Sequence, residues 1–174
     1  MLLAYQKVSP ILGPRVFVAP DASLIGRVTL AEDVSIFFQC VLRGDINSIS
    51  VGPRSNIQDH TVIHLASDRG TVVGADVSVG HQCILHACTI KDRVLVGMGS
   101  ILMDGVIVGN DCVVAAGSLL PKGKEFPDGS LILGNPARLI RPLTADEKAD
   151  ILSLAVKYVG VKNHYLRQDD TPRS

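Results

Sequence analysis

Three histidines lie close together in the middle of the chain, at His64, His81 and His86. Neutral imidazole is a common ligand for divalent transition metals. Three such ligands around a tetrahedral ion leave one position open for water, and the pKa of that water falls to about 7. Their residue types therefore predict a metal site that activates water, provided that the fold brings all three side chains together.

A repeat of six residues predicts the fold that must position these histidines. The hydrophobic fraction is 47% and the aromatic fraction only 4%, so the core has to be aliphatic. Internal periodicity of this kind is typical of solenoid proteins. An apolar residue recurs at six-residue steps, interrupted by single steps of nine, ten and five: Val18, Leu24, Leu30, Ile36, Leu42, Val51, Ile57, Ile63, Val73, Val79, Leu85, Ile90, Val96, Leu102, Val108, Val114, Leu120 and Phe126.

Each six-residue unit predicts one side of a triangular coil, so eighteen units make about six turns of an all-β parallel β-helix. Residues 43–50 and 64–72 exceed the repeat and are predicted to be loops, and the coil is predicted to end near Phe126. We assign residues 1–140 to the β-helix domain with an N-terminal lead-in, and residues 141–174 to a C-terminal helix and tail.

The C-terminal helix has a clear start signal, since Thr144 and Glu147 have the spacing of a capping box. It is predicted to run to about Leu166 and to pack along the coil or across a subunit boundary. The tail from Arg167 to Ser174 is predicted to be disordered.

The repeat also places the histidines. His64 and His86 take the second place of their hexads, three hexads and therefore one turn apart, so they are predicted to stack on one face. His81 takes the third place of the preceding hexad, on another side of the triangle. A single chain is thus not expected to bring all three together. Packing around a three-fold axis would, which predicts a homotrimer with each site between two chains.

Polar residues near the histidines suit the hydration of carbon dioxide, which needs a metal-bound hydroxide, an orienting acceptor and a proton exit. Gln58 stands one hexad before His64 and is predicted to orient the hydroxide, with Asn56 holding substrate nearby. Asp45 and Arg43 are predicted to complete a polar shell around the ligands. These roles assign the substrate as carbon dioxide or bicarbonate.

Arg43-Gly44-Asp45, Asn56-Ile57-Gln58-Asp59, His64, and His81 with His86 together resemble the γ-class carbonic anhydrase family. The resemblance covers the chain from about Val16 to the C-terminal helix. It implies a left-handed β-helix trimer with Zn²⁺, or Fe²⁺ or Co²⁺, held by the three histidines between subunits. It also implies an Arg43–Asp59 salt bridge across that boundary, Gln58 at the metal-bound hydroxide, and a match of Tyr158 to a tyrosine near the site.

Two departures from the family pattern concern proton transfer. Ile46 stands where the family archetype has an acidic residue. The long acidic loop that carries a glutamate proton shuttle is replaced by the short segment 65–70, which contains no glutamate. If proton transfer limits turnover, this chain is expected to be slow unless buffer or Asp68 substitutes.

Composition narrows the class of protein. The formal net charge is zero and no basic stripe occurs, which argues against nucleic-acid or membrane partners. The four cysteines form no CxxC pair, and no leader pattern or long apolar run is present, so we expect a cytoplasmic protein. His60 and His164 are predicted to be surface residues.

Two other functions fit the same repeat. One is a hexapeptide acyltransferase or acyl-CoA thioesterase, in which a histidine acts as a base without bound metal. The other is a non-catalytic trimer that binds metal.

Overall fold

The computed structural model describes residues 1–169 of the chain. Its strands in chain order are β1 (Leu2–Leu3), β2 (Ile11–Leu12), β3 (Phe17–Val18), β4 (Ser23–Leu30), β5 (Ser35–Ile36), β6 (Val41–Val51), β7 (Asn56–Ile57), β8 (Val62–His64), β9 (Thr71–Val73) and β10 (Ser78–Val79). They continue as β11 (Ile84–His86), β12 (Thr89–Ile90), β13 (Leu95–Val96), β14 (Ile101–Leu102), β15 (Ile107–Val108), β16 (Val113–Val114), β17 (Leu119–Leu120), β18 (Glu125–Phe126), β19 (Ser130–Gly134) and β20 (Ala137–Pro142). One helix, α1 (Ala145–Asp169), follows.

The strands stack into the three sides of a coil, which confirms the predicted parallel β-helix with a C-terminal helix. The first side is the ladder β3, β5, β7, β10, β13, β16 and β19. The second runs through β1, β4, β6, β8, β11, β14 and β17, and the third through β2, the later halves of β4 and β6, β9, β12, β15 and β18. All of these neighbours pair in parallel, and β20 is the one strand of residues 1–169 that runs antiparallel to its neighbour, β19.

The core is the apolar column of the repeat. Of the eighteen residues that define the six-residue phase, all but the half-buried Val18 are buried. The small or β-branched residues four places later face the same interior, and the four cysteines are among them or beside them, free and buried. The alternation of inward and outward side chains along each short strand therefore sends the residue after each apolar position outward.

The coil is longer than the repeat count predicted, with seven levels on each side rather than six. Leu12 pairs with Leu30 at one end, and Ile132 pairs with Val114 at the other. Both residues lie six places beyond the ends of the counted series, so the phase simply continues. The predicted end near Phe126 was wrong because the turn at Pro127–Gly129 forms one more corner of the coil.

The two segments that exceed the repeat differ in structure. Residues 65–70 leave the coil as predicted, closed by backbone hydrogen bonds between Ala66 and Arg69. Residues 43–50 are not a loop, because they lie inside β6. The extra residues are absorbed as a bulge, since Gly44 pairs with Gly26 while Ile49 pairs with Val28.

Helix α1 lies along the first side of the coil. This is one of the two packings that the sequence predicted for it. Its tyrosines contact the phenylalanines of the coil: the ring of Tyr165 stacks on Phe17 at 5.0 Å, and Tyr158 meets Phe37 edge-on at 5.6 Å. The predicted capping box is confirmed, because the Glu147 amide donates to the Thr144 hydroxyl and the Thr144 amide donates to the Glu147 carboxylate. The helix includes Arg167 to Asp169, so that part of the tail is ordered. Residues 170–174 lie outside the described part of the chain.

Within residues 1–169, no helix is long and apolar enough to cross a membrane.

Candidate metal centre

His64 and His86 stand on neighbouring levels of the second side of the coil. They are Cα partners in the parallel pairing of β8 with β11, so their side chains leave the same face one above the other. His64 Nδ1 lies 3.3 Å from His86 Nε2, and the ring centroids are 5.3 Å apart. Two nitrogens bound to one tetrahedral ion at about 2.0–2.1 Å are about 3.3–3.4 Å apart. The pair thus has the spacing that a shared metal needs.

The other nitrogen of each ring is hydrogen-bonded to a carboxylate. His64 Nε2 lies 3.1 Å from Asp45 Oδ1, and His86 Nδ1 lies 2.5 Å from Asp104 Oδ1. Carboxylates placed this way fix the tautomer and the ring orientation of metal-binding histidines. Each ring is left with one nitrogen for a metal, on the side where the two rings face each other.

The same hydrogen bonds set the charge of the two carboxyl groups. Burial raises the pKa of Asp45, but the hydrogen bonds from His64 and Arg43 outweigh it, so the pKa lies below its usual value. The hydrogen bond from His86 is the main cause that lowers the pKa of Asp104. Both groups are therefore carboxylates at neutral pH. Each is suited to accept the proton on the ring nitrogen that faces it.

His81 is on a different side of the coil, at the corner after β10. Its Nδ1 lies 2.8 Å from Asp59 Oδ2, and Asp59 Oδ1 in turn accepts the backbone amide of Phe38 at 3.2 Å. The His81 side chain is 44% exposed and keeps Nε2 for an outside partner. Among the described residues of one chain, no group of three histidine, cysteine or acidic side chains is arranged to hold a metal. One chain brings two of the three histidines together.

Gln58 is held by a short row of buried amides. Asn56 Nδ2 donates to Ser78 Oγ at 2.8 Å, and Gln58 Nε2 donates to Asn56 Oδ1 at 3.1 Å. Asn56 is 1% exposed and Gln58 is 6% exposed. With its amide nitrogen committed, Gln58 presents its carbonyl oxygen to the cavity beside His81. In the structure Asn56 orients Gln58, and its predicted contact with substrate stays a prediction.

The cavity beside His81 has a volume of about 440 Å³ and is mostly apolar. Gln58 and His81 form one end, and Tyr158 of α1 closes it from above. Burial, and then the charge of Asp59, raise the pKa of Tyr158. The structure thus places Tyr158 in the same cavity as Gln58 and His81, and its match to the tyrosine of the family stays a prediction.

Arg43 pairs with Asp45 in the same chain, and it also lies directly below His64 on the coil. The Arg43–Asp59 pair joins two chains, so it stays a prediction. His60 and His164 are exposed, as predicted. Burial raises the pKa of Cys40 and of Cys88 to about 12, which leaves both as thiols and outside the metal chemistry.

Asp104 is the site residue that sequence reasoning missed. A partial signal was available, because Leu85 pairs with Leu102, so the residue one turn above His86 is Met103 and Asp104 follows it directly. The six-residue phase also places Ser78 one level from Asn56, but the hydrogen bond that joins them is visible only in the structure.

Comparison with known proteins gives the relatives of this chain. Residues 87–122 match the family described as bacterial transferase hexapeptide (six repeats). Gamma carbonic anhydrase 2, mitochondrial, of Arabidopsis thaliana is 44% identical over 88% of this chain and 57% of its own length. Protein YrdA of Escherichia coli (strain K12) is 43% identical over 97% of this chain and 95% of its own. The chain therefore spans less than two thirds of the plant relative and nearly all of the bacterial one.

A solved structure agrees over the whole fold. The hexapeptide transferase family protein from Anaplasma phagocytophilum is 41% identical, with a TM-score of 0.91 over 95% of this chain and 98% of that one.

Proposed function

The chain belongs to the γ-class carbonic anhydrase family of hexapeptide-repeat proteins, and we propose that it is a metal-dependent enzyme for the reversible hydration of carbon dioxide. The observation that carries this proposal is the pair His64 and His86, whose facing nitrogens are 3.3 Å apart. Each ring is backed by a carboxylate of its own. That arrangement has no evident use in holding the coil together.

The residues fit a divalent metal well. His64 and His86 of one chain would hold it together with His81 of a neighbouring chain, in a homotrimer. Zn²⁺ suits three imidazoles, and Fe²⁺ or Co²⁺ bind the same ligand type. Such a metal lowers the pKa of a coordinated water to about 7 and so supplies the nucleophile at neutral pH.

The chain's own residues contribute orientation. Gln58 offers a carbonyl oxygen as hydrogen-bond acceptor. Its orientation is fixed because its amide nitrogen donates to Asn56, which in turn donates to Ser78. An acceptor with one fixed direction selects one hydrogen of the reacting water, which leaves a lone pair aimed at the substrate. The apolar cavity beside His81 suits carbon dioxide, which carries no charge and gains little from hydrogen bonds.

Proton release is the weak point of the site. Loop 65–70 carries Asp68 but no glutamate, and Ile46 is exposed where an acid would serve. A solvent buffer is then the effective proton acceptor. We propose the reducing cytoplasm as its location, which is supported by four free, buried cysteines.

The test is to purify the protein without chelator, measure its metal content, and assay carbon dioxide hydration with Zn²⁺ and separately with Fe²⁺. We expect about one metal per chain and a turnover that rises with buffer concentration. A protein that binds metal but gives no hydration with either ion would leave the non-catalytic trimer in its place. If the wild-type protein bound neither Zn²⁺ nor Fe²⁺, the metalloenzyme proposal would be ruled out.

Acyl transfer or thioester hydrolysis is the second candidate, favoured by the size of the apolar cavity. It continues along α1 into a second volume of about 410 Å³, and the two share Leu95, Val113 and Leu154. Carbon dioxide needs far less room. This candidate expects turnover of acyl-CoA that survives loss of metal in the double variant His64→Ala with His86→Ala, whereas carbon dioxide hydration would be abolished.

A further inference from the structure

A second, polar cavity lies behind the carboxylate that supports His86. Its volume is about 180 Å³, and its walls carry four charged side chains, Asp68, Arg69, Asp104 and Lys122. The floor is backbone at Gly105 and Gly123. Asp104 connects this cavity to the candidate metal centre, because its carboxylate bonds His86.

The two cations of this cavity have no partner of their own. Among residues 1–169, neither Arg69 nor Lys122 forms an ion pair or a side-chain hydrogen bond. Asp104 feels the charge of Lys122, but its bonded partner is His86. Arg54 and Arg93, in contrast, each make a two-point contact with an aspartate, Asp76 and Asp111 respectively. The charges of Arg69 and Lys122 are therefore available to a ligand in the cavity.

Glycine at position 105 makes room for the arginine. A Cβ on Gly105 would lie 2.4 Å from Arg69 Nη1, so the guanidinium rests on the glycine backbone. Gly123, one level along, has open space where its Cβ would be. Any side chain at 105 would push the guanidinium out, and bulk at 123 would enter the open space of the cavity.

From these features we propose that the cavity is a binding site for a small planar oxyanion, bicarbonate or a short carboxylate such as formate. The guanidinium fork of Arg69 matches two coplanar oxygens, and Lys122 adds a point charge. At about 30 Å³ per water molecule, the cavity holds about six waters, which is room for an anion of a few atoms. It is well below the 300–1,000 Å³ typical of drug-sized ligands.

Asp68 provides a test of whether the bound ligand is an anion or a cation. Its carboxylate lines the same cavity and opposes an anion. Asp68→Asn should therefore tighten oxyanion binding, whereas it would weaken the binding of a cation. Binding of the anion does not require the metal, because none of the cationic groups is a metal ligand.

The experiment is isothermal titration calorimetry on the full-length protein, with and without chelator, at constant ionic strength. The probes are sodium formate, sodium bicarbonate and sodium phosphate. For the wild type we expect saturable binding of formate and bicarbonate in both states and weaker binding of the tetrahedral phosphate. Binding of bicarbonate alone would show a site selective for that anion, and equal binding of formate a general carboxylate site.

The double variant Arg69→Gln with Lys122→Gln should weaken binding by about tenfold or more, since two charge-assisted contacts are lost. The matched control is Arg138→Gln with Lys124→Gln, which removes the same two charges from exposed positions outside the cavity. Arg69→Lys keeps the charge, and should still weaken formate because it loses the planar fork.

Several results would overturn the oxyanion site. They are no saturable binding to the wild type, equal loss in the control, weaker binding in Asp68→Asn, phosphate binding as tight as formate, or binding that disappears with the metal. The last would place the anion on the metal instead. Failure of carbon dioxide hydration would not affect this test, because it is run without metal as well.

Discussion

At the scale of single residues, the hydrogen bonds of the histidines decide which ring nitrogen is left for a metal. Asp45, Asp104 and Asp59 each take one nitrogen, on His64, His86 and His81 respectively. Each ring is therefore left with one nitrogen for the metal that we propose. The stacking of His64 over His86 was predictable from the six-residue phase. The same phase places Asp59 one turn before His81, but the hydrogen bond between them required side-chain positions.

Replacing Asp104 tests the orienting role directly. Asp104→Asn keeps the size of the side chain but replaces a carboxylate acceptor with an amide, so the His86 ring loses its charged support. We expect metal affinity to fall by about 10–100-fold, measured by competition with a chromophoric chelator. Asp150→Asn, at an exposed position on α1, is the control and should leave affinity unchanged. Equal affinity in both variants would contradict the role of Asp104.

Gln58 should matter for turnover and not for metal binding. Gln58→Leu keeps the volume but removes the acceptor that the Asn56 and Ser78 row aims at the cavity. Loss of one orienting hydrogen bond should lower kcat by about tenfold to a hundredfold. Metal content per chain should stay at the wild-type value. A Gln58→Leu protein that loses its metal would show that Gln58 has a structural role instead.

At the scale of elements, helix α1 is fastened to the coil by an ion pair at a place the sequence did not reveal. Lys162 is fully buried, and its Nζ lies 2.9 Å from Asp33 Oδ1. Asp33 also bonds Arg15 on the level below, at 2.5 Å. The aromatic contacts of Tyr158 and Tyr165 cover the rest of the seam. Because Lys162 cannot reach water, its ammonium group relies on Asp33 and on the Asn163 side chain for hydrogen bonds.

Asp33→Asn should therefore destabilise the docking of α1. It leaves Lys162 buried without its carboxylate, and removing one partner of a buried pair is costly. We expect the free energy of unfolding to fall by about 2–3 kcal/mol, measured by urea denaturation. Lys162→Met removes the buried charge with its need for a partner, and should cost much less because Asp33 retains Arg15. A larger loss of stability in Lys162→Met than in Asp33→Asn would contradict the role of the Lys162–Asp33 pair in docking α1.

Acid should have the same effect as that substitution. The hydrogen bond from Arg15, with a smaller contribution from Lys162, lowers the pKa of Asp33 from 3.8 to about 2. A group with a depressed folded pKa stabilises the protein above its unfolded pKa and loses that contribution as the pH falls through the folded value. We expect a loss of about 2 kcal/mol between about pH 4 and pH 2. This part of the acid sensitivity should be missing in Asp33→Asn, as urea denaturation at a series of pH values would show.

The elements themselves followed from the sequence to different degrees. The repeat located the interior of nearly every strand, because a buried apolar residue every six places leaves few alternatives. It did not determine where the extra residues of β6 go, since a bulge and a loop use the same number of residues. It also did not reveal the Lys162 anchor, because a lysine in an amphipathic helix is usually solvated.

At the scale of the whole molecule, the triangular coil separates the three histidines that we propose as metal ligands. His64 and His86 leave the second side, whereas His81 leaves the corner after the first side. The second side also exposes Val62 and Ile84, at 39% and 43%, directly beside the stacked pair. An apolar face that carries two ligands, and an edge elsewhere that carries the third, suit contact between copies around a closed ring.

The claim that the site is shared between chains has one direct test, which is to mix variants that each lack one ligand. His64→Ala and His81→Ala proteins should bind metal poorly when separate. Unfolded together in equal amounts and refolded, they should regain about a quarter of the wild-type metal sites, because random assembly places an intact His64 face against an intact His81 edge that often. The matched control mixes His64→Ala with His86→Ala, whose lost ligands belong to the same face, and should regain none. Recovery near a quarter in the first mixture alone is the result we expect, and no recovery in either mixture would contradict a site between chains.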